Sequence, residues 1–347
     1  MASDPSLSKI PTSYATVSLD NGAEYTLPQK LQAISAAGFD AIELGFPDIL
    51  TFATQHLGHE VFEDAYEELC TAGAEIKKLV AQNKLQILML QPFSNFEGWP
   101  KDSDGRKDAF SRAKGWIKIM QAVGTDMLQV GSSDTPDITS DIDLLASDLA
   151  ELADMLAEHK FRLCYENWCW ATHATTWSEV WEIVKKVDRD NIGLCLDTFQ
   201  TAGGEWGDPT TRSGRLETMD ATILQNMYVK SLQNLAKTIP KDKIYLLQIS
   251  DAYQLEEPMK KEPDEEGLRP RGRWSHDFRP MPFDGGYLPI LPVTKAVLDT
   301  GFRGYFSVEI FDGGPEGKGR PKDAEQYTKK AKKSLDRLIE EANVYSL

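Results

Sequence analysis

FRLCYE (161–166), SEVWEIVKKV (178–187) and NIGLCLD (191–197) follow one another along the chain, and the fold turns on how they are read. The two outer pieces are short apolar runs that each end on a carboxylate, Glu166 and Asp197. The middle piece is amphipathic at helical spacing. A strand, a helix and a second strand in that order form a βα unit, the building block of a parallel sheet.

Working outward, the unit recurs. Gly38 leads into FDAIELGF, Gly124 into TDMLQVG and Gly301 into FRGYFSVEIF. In each case an amphipathic stretch stops on a glycine, which suits the left-handed residue after a helix C-terminus. Eight strands are predicted: Thr12–Leu19, Asp40–Gly45, Leu85–Gln91, Asp126–Gly131, Phe161–Glu166, Asn191–Asp197, Lys243–Ser250 and Tyr305–Phe311. Helical patterns separate them. Pro28 sits at the favoured first turn of LPQKLQAISAA, a polar cap leads LLASDLAELADMLAEH within 137–159, and Tyr327 to Ala342 reads as a final helix. Eight alternations suit a (β/α)8 TIM barrel built as one domain over 1–347, with its core at about 12–342. An open Rossmann-like sheet is the alternative, and no G-x-G-x-x-G after an early strand supports it. Two connections read as long: one from Thr198 past TAGGEWGDP, the other from Asp251 to about Tyr287. Both follow strands and so belong to the C-terminal face of a barrel, where active sites are built. Within the second, KKEPDEEG has the composition of a disordered insertion, whereas RPRGRWSHDFRP reads as a lid or substrate-contacting loop.

Bulk composition narrows the function. The 347 residues are 41% hydrophobic and 27% charged, as in ordinary globular proteins. No apolar run is long enough to span a bilayer, and Met1 to Lys9 lacks the apolar stretch of a secretory signal, so a cytoplasmic protein is expected. With 38 basic against 54 acidic residues the net charge is −16, which repels a phosphate backbone. The modest cluster Arg269, Arg271 and Arg273 does not reverse this. Neither nucleic acid nor membrane is expected as a partner; a small-molecule substrate is, and a homo-oligomer is left open. The four cysteines lack zinc-knuckle spacing and read as core residues.

The chemistry lies at the ends of the last four strands: Glu166, Asp197, Gln248 (YLLQ) and Glu309 (YFSVE). A carboxylate closing an apolar strand is costly unless its charge is compensated. Four oxygen donors delivered to one end of a barrel make a cage for one divalent ion. Hard oxygen ligands suit Mg2+ or Mn2+, with Co2+ and Zn2+ left open. Other motifs are weaker. His56 and His59 in QHLGHE are not in H-E-x-x-H order and are read as loop or helix-start residues. GGPEGKGR from Gly313 lacks P-loop spacing, and no G-x-S-x-G offers a serine nucleophile. Trp168 and Trp170, beside Glu166, suit packing or an aromatic wall to a polar pocket.

The strand-end order Glu, Asp, Gln, Glu resembles the xylose isomerase-like TIM-barrel superfamily. Within it, LQPFSNFEG, LCLDTFQTAGGEWGDP, LLQISDA and WSHDFRP followed by GGYLP are most similar to fungal 3-dehydroshikimate dehydratases. That resemblance implies a metal-dependent lyase of quinate catabolism that converts 3-dehydroshikimate to protocatechuate through a metal-stabilised enolate. It further implies Arg279 and Arg273 as forks for the substrate carboxylate. Glu43, Gln91 and Trp168 would be further substrate contacts, and Glu166 and Glu309 would share in catalysis. The chain departs from the pattern at Gln200, where bacterial members carry a histidine thought to move protons, and at Trp168, where some relatives have histidine. His276 on the long loop is the candidate replacement base, being matched to neutral pH. A ketose or keto-acid isomerase or epimerase on the same cage, and a barrel that binds a metabolite without catalysis, are the alternatives.

Overall fold

The computed structural model of the protein describes residues 10–20, 24–319 and 322–347. The polar segment 1–9 and Arg320 of the GGPEGKGR stretch lie outside the described residues. Eight parallel strands close into a barrel: β1 (Thr12–Ala15), β2 (Ala41–Gly45), β3 (Gln86–Phe93), β4 (Met127–Gly131), β5 (Arg162–Glu166), β6 (Ile192–Asp197), β7 (Ile244–Ile249) and β9 (Tyr305–Val308). They pair in chain order, and β9 returns to β1 through Thr12–Phe306 and Tyr14–Val308. This is the barrel expected from the sequence.

Helices α1 (Leu27–Ala36), α2 (Phe46–Leu57), α3 (Tyr66–Gln82), α4 (Asp104–Val123), α5 (Ile142–Ala157), α6 (Trp177–Val187), α7 (Thr198–Glu205) and α8 (Ala221–Thr238) occupy the first six connections. Helices α9 (Pro270–Asp277), α10 (Ile290–Asp299) and α11 (Ala324–Val344) complete the chain. Local signals fix their ends. Thr26 and Gln29 close a capping box at α1, Thr176 and Glu179 another at α6, and Gly124 ends α4 in the left-handed conformation.

Strand periodicity divides the core in two and places the site. In β5, Leu163 and Tyr165 face the helices and join the large outer cluster. Cys164 faces inward, together with Met89, Met127, Cys195 and Leu246, which form a separate apolar cluster inside the barrel. Side chains two positions further along a strand share its face. The next inward layer therefore holds Gln91, Gln129, Glu166, Asp197 and Gln248, all buried. An apolar plug thus carries a polar layer at the C-terminal mouth.

Several expected boundaries move. The first strand stops at Ala15 and tightens into a helical turn at Thr16–Ser18, where the Thr16 hydroxyl accepts the Gly45 N–H at 3.0 Å. The eighth barrel strand stops at Val308, and Phe311–Asp312 forms a separate β10. No long loop follows Asp197. Its side chain caps α7 directly by accepting the N–H of Phe199 at 2.5 Å and of Gln200 at 3.0 Å, so the helix begins at Thr198. The 251–287 connection is built rather than loose. It carries α9 and a two-residue strand β8 (Phe278–Arg279), paired antiparallel with β10 across the mouth. Trp274 pins it, fully buried, with Nε1–H on the Tyr253 carbonyl at 3.0 Å. Even within KKEPDEEG, Asp264 folds the chain by accepting the N–H groups of Glu266 and Leu268. His56 lies in the last turn of α2, not at a helix start, and His59 pairs with Glu68 on the surface.

Candidate metal and substrate site

One carboxylate oxygen from each of Glu166, Asp197 and Glu309 lies within 4.8 Å of the others, and all three residues are buried. Glu43, reaching in from β2, adds a fourth buried carboxylate. A single buried cation, Arg279, answers them: its Nη2 donates to Asp197 at 2.5 Å and to Glu309 at 2.9 Å. Four acids around one guanidinium leave negative charge out of water, and the titration behaviour reflects it. Burial pushes Glu43 up to about 8, with Glu309 next in effect, and pushes Glu309 up to about 7 against the pull of Arg279. Burial, then Glu309 and Asp197, raise Glu166 well above the usual carboxylate range. Burial opposes the Arg279 charge, but Asp197, Glu309 and Glu166 together hold its pKa above the ordinary value.

Three glutamine amides orient these carboxylates. Gln91 donates to Glu309 at 3.1 Å, Gln129 donates to Glu166, and Gln248 donates to Glu43 at 2.7 Å and Glu309 at 3.0 Å. Oxygens remain over: Oε1 of Glu166 is buried without a hydrogen-bond partner, and the second Glu43 oxygen has the Ser307 hydroxyl beside it. An unpaired buried acceptor in an acidic cluster fits a divalent cation, and the donor set is hard oxygen throughout. Glu166, Asp197 and Glu309 are therefore the residues that could hold one. Gln248, also expected among the ligands, presents its nitrogen to the carboxylates, while its Oε1 accepts the Cys195 thiol at 3.2 Å. Its amide must turn over before the oxygen can bind a cation.

Above the carboxylates lies a cavity of about 280 Å³. Its floor includes Gln91, Gln129, Glu166 and Glu309; its rim includes Asn95, Asp134, Trp168, Trp170 and His276. Trp168 and Trp170 stack at 5.0 Å, and His276 meets Trp170 edge-on at 6.1 Å. Trp168 lies flat against Gly131, where an added Cβ would fall 2.1 Å from the indole, so glycine is needed at that strand end. His276 is exposed at the rim as a residue, and desolvation of its ring by the cover lowers its pKa from the ordinary value against the pull of Asp277. Gln200 lines the cavity and accepts the Cys169 N–H at 3.0 Å.

The two arginines expected as carboxylate forks are placed differently. Arg279 reaches the cavity, but it also donates to Ser250 at 2.9 Å and Ser275 at 3.3 Å. With Asp197 and Glu309 that commits four of its five N–H groups, so no two-pronged fork is left for a ligand. Arg273 donates to the carbonyls of Lys260 and Glu262, away from the cavity. Its neighbours do the same kind of work: Arg269 holds the Trp170 carbonyl and Arg271 those of Gly203 and Gly207. The basic cluster is thus a set of staples between loops. Gln129 is the floor residue that the sequence reading missed. Its signal was its place two residues after the inward Met127.

A closed parallel barrel with a buried acidic cluster at its C-terminal mouth defines the class: a TIM-barrel protein with a candidate cation site. The chain belongs to the xylose isomerase-like TIM barrel family, whose profile matches residues 31–339. It is 31% identical over 321 residues to the 3-dehydroshikimate dehydratase of Neurospora crassa, with 87% of each chain covered. Against the 3-dehydroshikimate dehydratase of Pseudomonas aeruginosa it is 31% identical over 302 residues, spanning 87% of this chain and 38% of that protein. A solved xylose isomerase-like TIM barrel/4-hydroxyphenylpyruvate dioxygenase fusion protein superposes with a TM-score of 0.70 at 29% identity, over 94% of this chain and 42% of the other. The resemblance drawn from the strand ends and loop motifs is the one found. Among the described residues no helix is long and apolar enough to cross a membrane.

Proposed function

We propose that this chain dehydrates 3-dehydroshikimate to protocatechuate with one divalent cation held by Glu166, Asp197 and Glu309, joined by Gln248 once its amide turns. The observation that carries the reading is the buried acidic triad at the mouth of a barrel whose relatives include dehydratases of that substrate. When bound, the cation would supply Lewis acidity, stabilising negative charge on the substrate ketone oxygen as the neighbouring C–H is deprotonated.

The chain's own residues would do the rest. The proton leaves the carbon between the ketone and the hydroxyl-bearing carbon, that hydroxyl departs as water, and the ring tautomerises to the aromatic product. One water is lost and no redox partner is required. His276 would take the proton and return it to the departing hydroxyl, because its imidazole lines the cavity and is neutral at rest. Gln200 has no basic nitrogen and would orient substrate. Gln91 would act through the hydrogen bond that holds Glu309, and Glu43 would hold the Gln248 amide only until it turns. Arg279 would hold Asp197 and Glu309, with its last N–H free for a substrate oxygen. The Trp168–Trp170 wall would keep water from one face of the ring.

The test is ultraviolet absorbance on mixing chelated protein with 3-dehydroshikimate, followed by addition of Mg2+, Mn2+ or Co2+. Protocatechuate absorbance that rises only after the metal is the expected result. Cation binding by calorimetry without any product would refute the dehydratase reading and leave the cation site standing.

A further inference from the structure

We infer that Gln129 is a specificity residue whose amide oxygen accepts the substrate hydroxyl that is retained in the product. The inference rests on the dehydratase reading and deepens it. Gln129 stands on β4, is 2% exposed and lines the floor of the cavity. Its Nε2 donates to Glu166 Oε2, while its Oε1 is buried and has no hydrogen-bond partner. The orientation follows once Glu166 is ionised on a cation: a carboxylate only accepts, so the amide then turns its nitrogen toward Glu166. The two heteroatoms diverge from one carbon, so the oxygen is turned away from that carboxylate. The matching oxygen of Gln248 is already taken by the Cys195 thiol. Gln129 alone of this pair offers an idle acceptor.

A buried idle acceptor is unfavourable, and what relieves it must arrive with a donor hydrogen. Ketone and carboxylate oxygens cannot supply one; a hydroxyl can. 3-Dehydroshikimate has two hydroxyls. The one that leaves must gain a proton as it goes, so a pure acceptor does not help it. The one beside the ketone stays as a phenol and has a proton to donate throughout. The wall supports the same placement: Trp168 packs against Gly131, two residues beyond Gln129 on the same face of β4. A ring laid against that indole would stand over the part of the cavity floor that Gln129 lines.

The experiment compares 3-dehydroshikimate with its analogue lacking the hydroxyl beside the ketone, which still eliminates water and yields 3-hydroxybenzoate. In the metal-loaded wild type, kcat/KM should fall by about 10- to 100-fold on removing that hydroxyl. In Gln129→Met the discrimination between the two substrates should shrink at least about tenfold. Gln129→Glu, which keeps an acceptor oxygen, should retain it. Because each comparison is made within one protein, partial loss of fold cancels. Equal discrimination in wild type and Gln129→Met, with wild type converting 3-dehydroshikimate, overturns the assignment alone. A loss of cation affinity in Gln129→Met above about 100-fold, read by calorimetry without substrate, would make Gln129 a cation ligand and overturn it too. A wild type that converts neither compound fails the dehydratase reading, and the assignment falls with it.

Discussion

Glu43→Gln should stabilise the cation-free protein, and should do so only at high pH. In the fold Glu43 titrates at about 8, against an ordinary value of 4.5, because it is buried beside Glu309. A carboxyl with a raised folded pKa binds its proton more tightly in the fold than in the open chain. Stability from this group is therefore full below pH 4.5 and is lost as pH rises through 8. Taken alone the difference corresponds to about 5 kcal/mol above pH 8. Glu43 titrates together with Glu309, and the cluster can relax, so a net effect on the order of 2–4 kcal/mol is expected. Glutamine removes the charge and keeps an oxygen for the Gln248 amide. Urea unfolding in excess chelator at pH 5, 7 and 9 measures the effect. The variant should match wild type at pH 5 and exceed it at pH 9. Saturating Mg2+ should narrow the gap, since a bound cation stabilises the fully ionised cluster. A variant no more stable than wild type at pH 9, or a gap constant with pH, would refute the idea that the four acids strain the chelated protein.

Asp197→Asn should keep the cap on α7 while removing the charge opposite Arg279; activity is expected to fall more than about 100-fold with the circular dichroism unchanged. Asp197→Ala should lose the cap as well, and its melting should reveal a further loss of about 1 kcal/mol. Gly131→Ala drives a methyl to 2.1 Å from Trp168; displacing the indole should cost about 1–3 kcal/mol in denaturant unfolding and raise KM. Arg273→Ala should leave kcat/KM within about threefold of wild type, because its guanidinium serves two carbonyls away from the cavity; a large rise in KM would put it in the substrate site.

The barrel and the acidic residues were legible because each rests on a rule of strand periodicity. A carboxylate closing an apolar run, as in RLCYE and GLCLD, is costly without a reason and so draws notice. Gln129 escaped because it lies inside the run MLQV and does not close it; only its register with Met127 places it on the floor. The α7 start escaped for a different reason. Aspartate before a helix is also a common cap, and here Oδ1 of Asp197 caps α7 while Oδ2 meets Arg279. Arg279 and the staples could not be assigned from composition, because which carbonyl or carboxylate an arginine meets is decided by how the 251–287 connection folds back over the mouth.

That folding-back has a consequence for the site. Arg279 sits on β8, whose only strand partner among the described residues is β10, just beyond Glu309. The guanidinium that offsets the acids is therefore carried by the covering layer and not by the barrel wall. Its contacts to Asp197 and Glu309 tie that layer to the same carboxylates that could hold a cation. A divalent ion would take over much of the neutralisation that Arg279 alone provides without it. The cover would then be held less by charge and more by Trp274, by the three arginine staples and by the bound ring. A cation at this site would therefore act on the covering layer through the two acids that Arg279 shares with it.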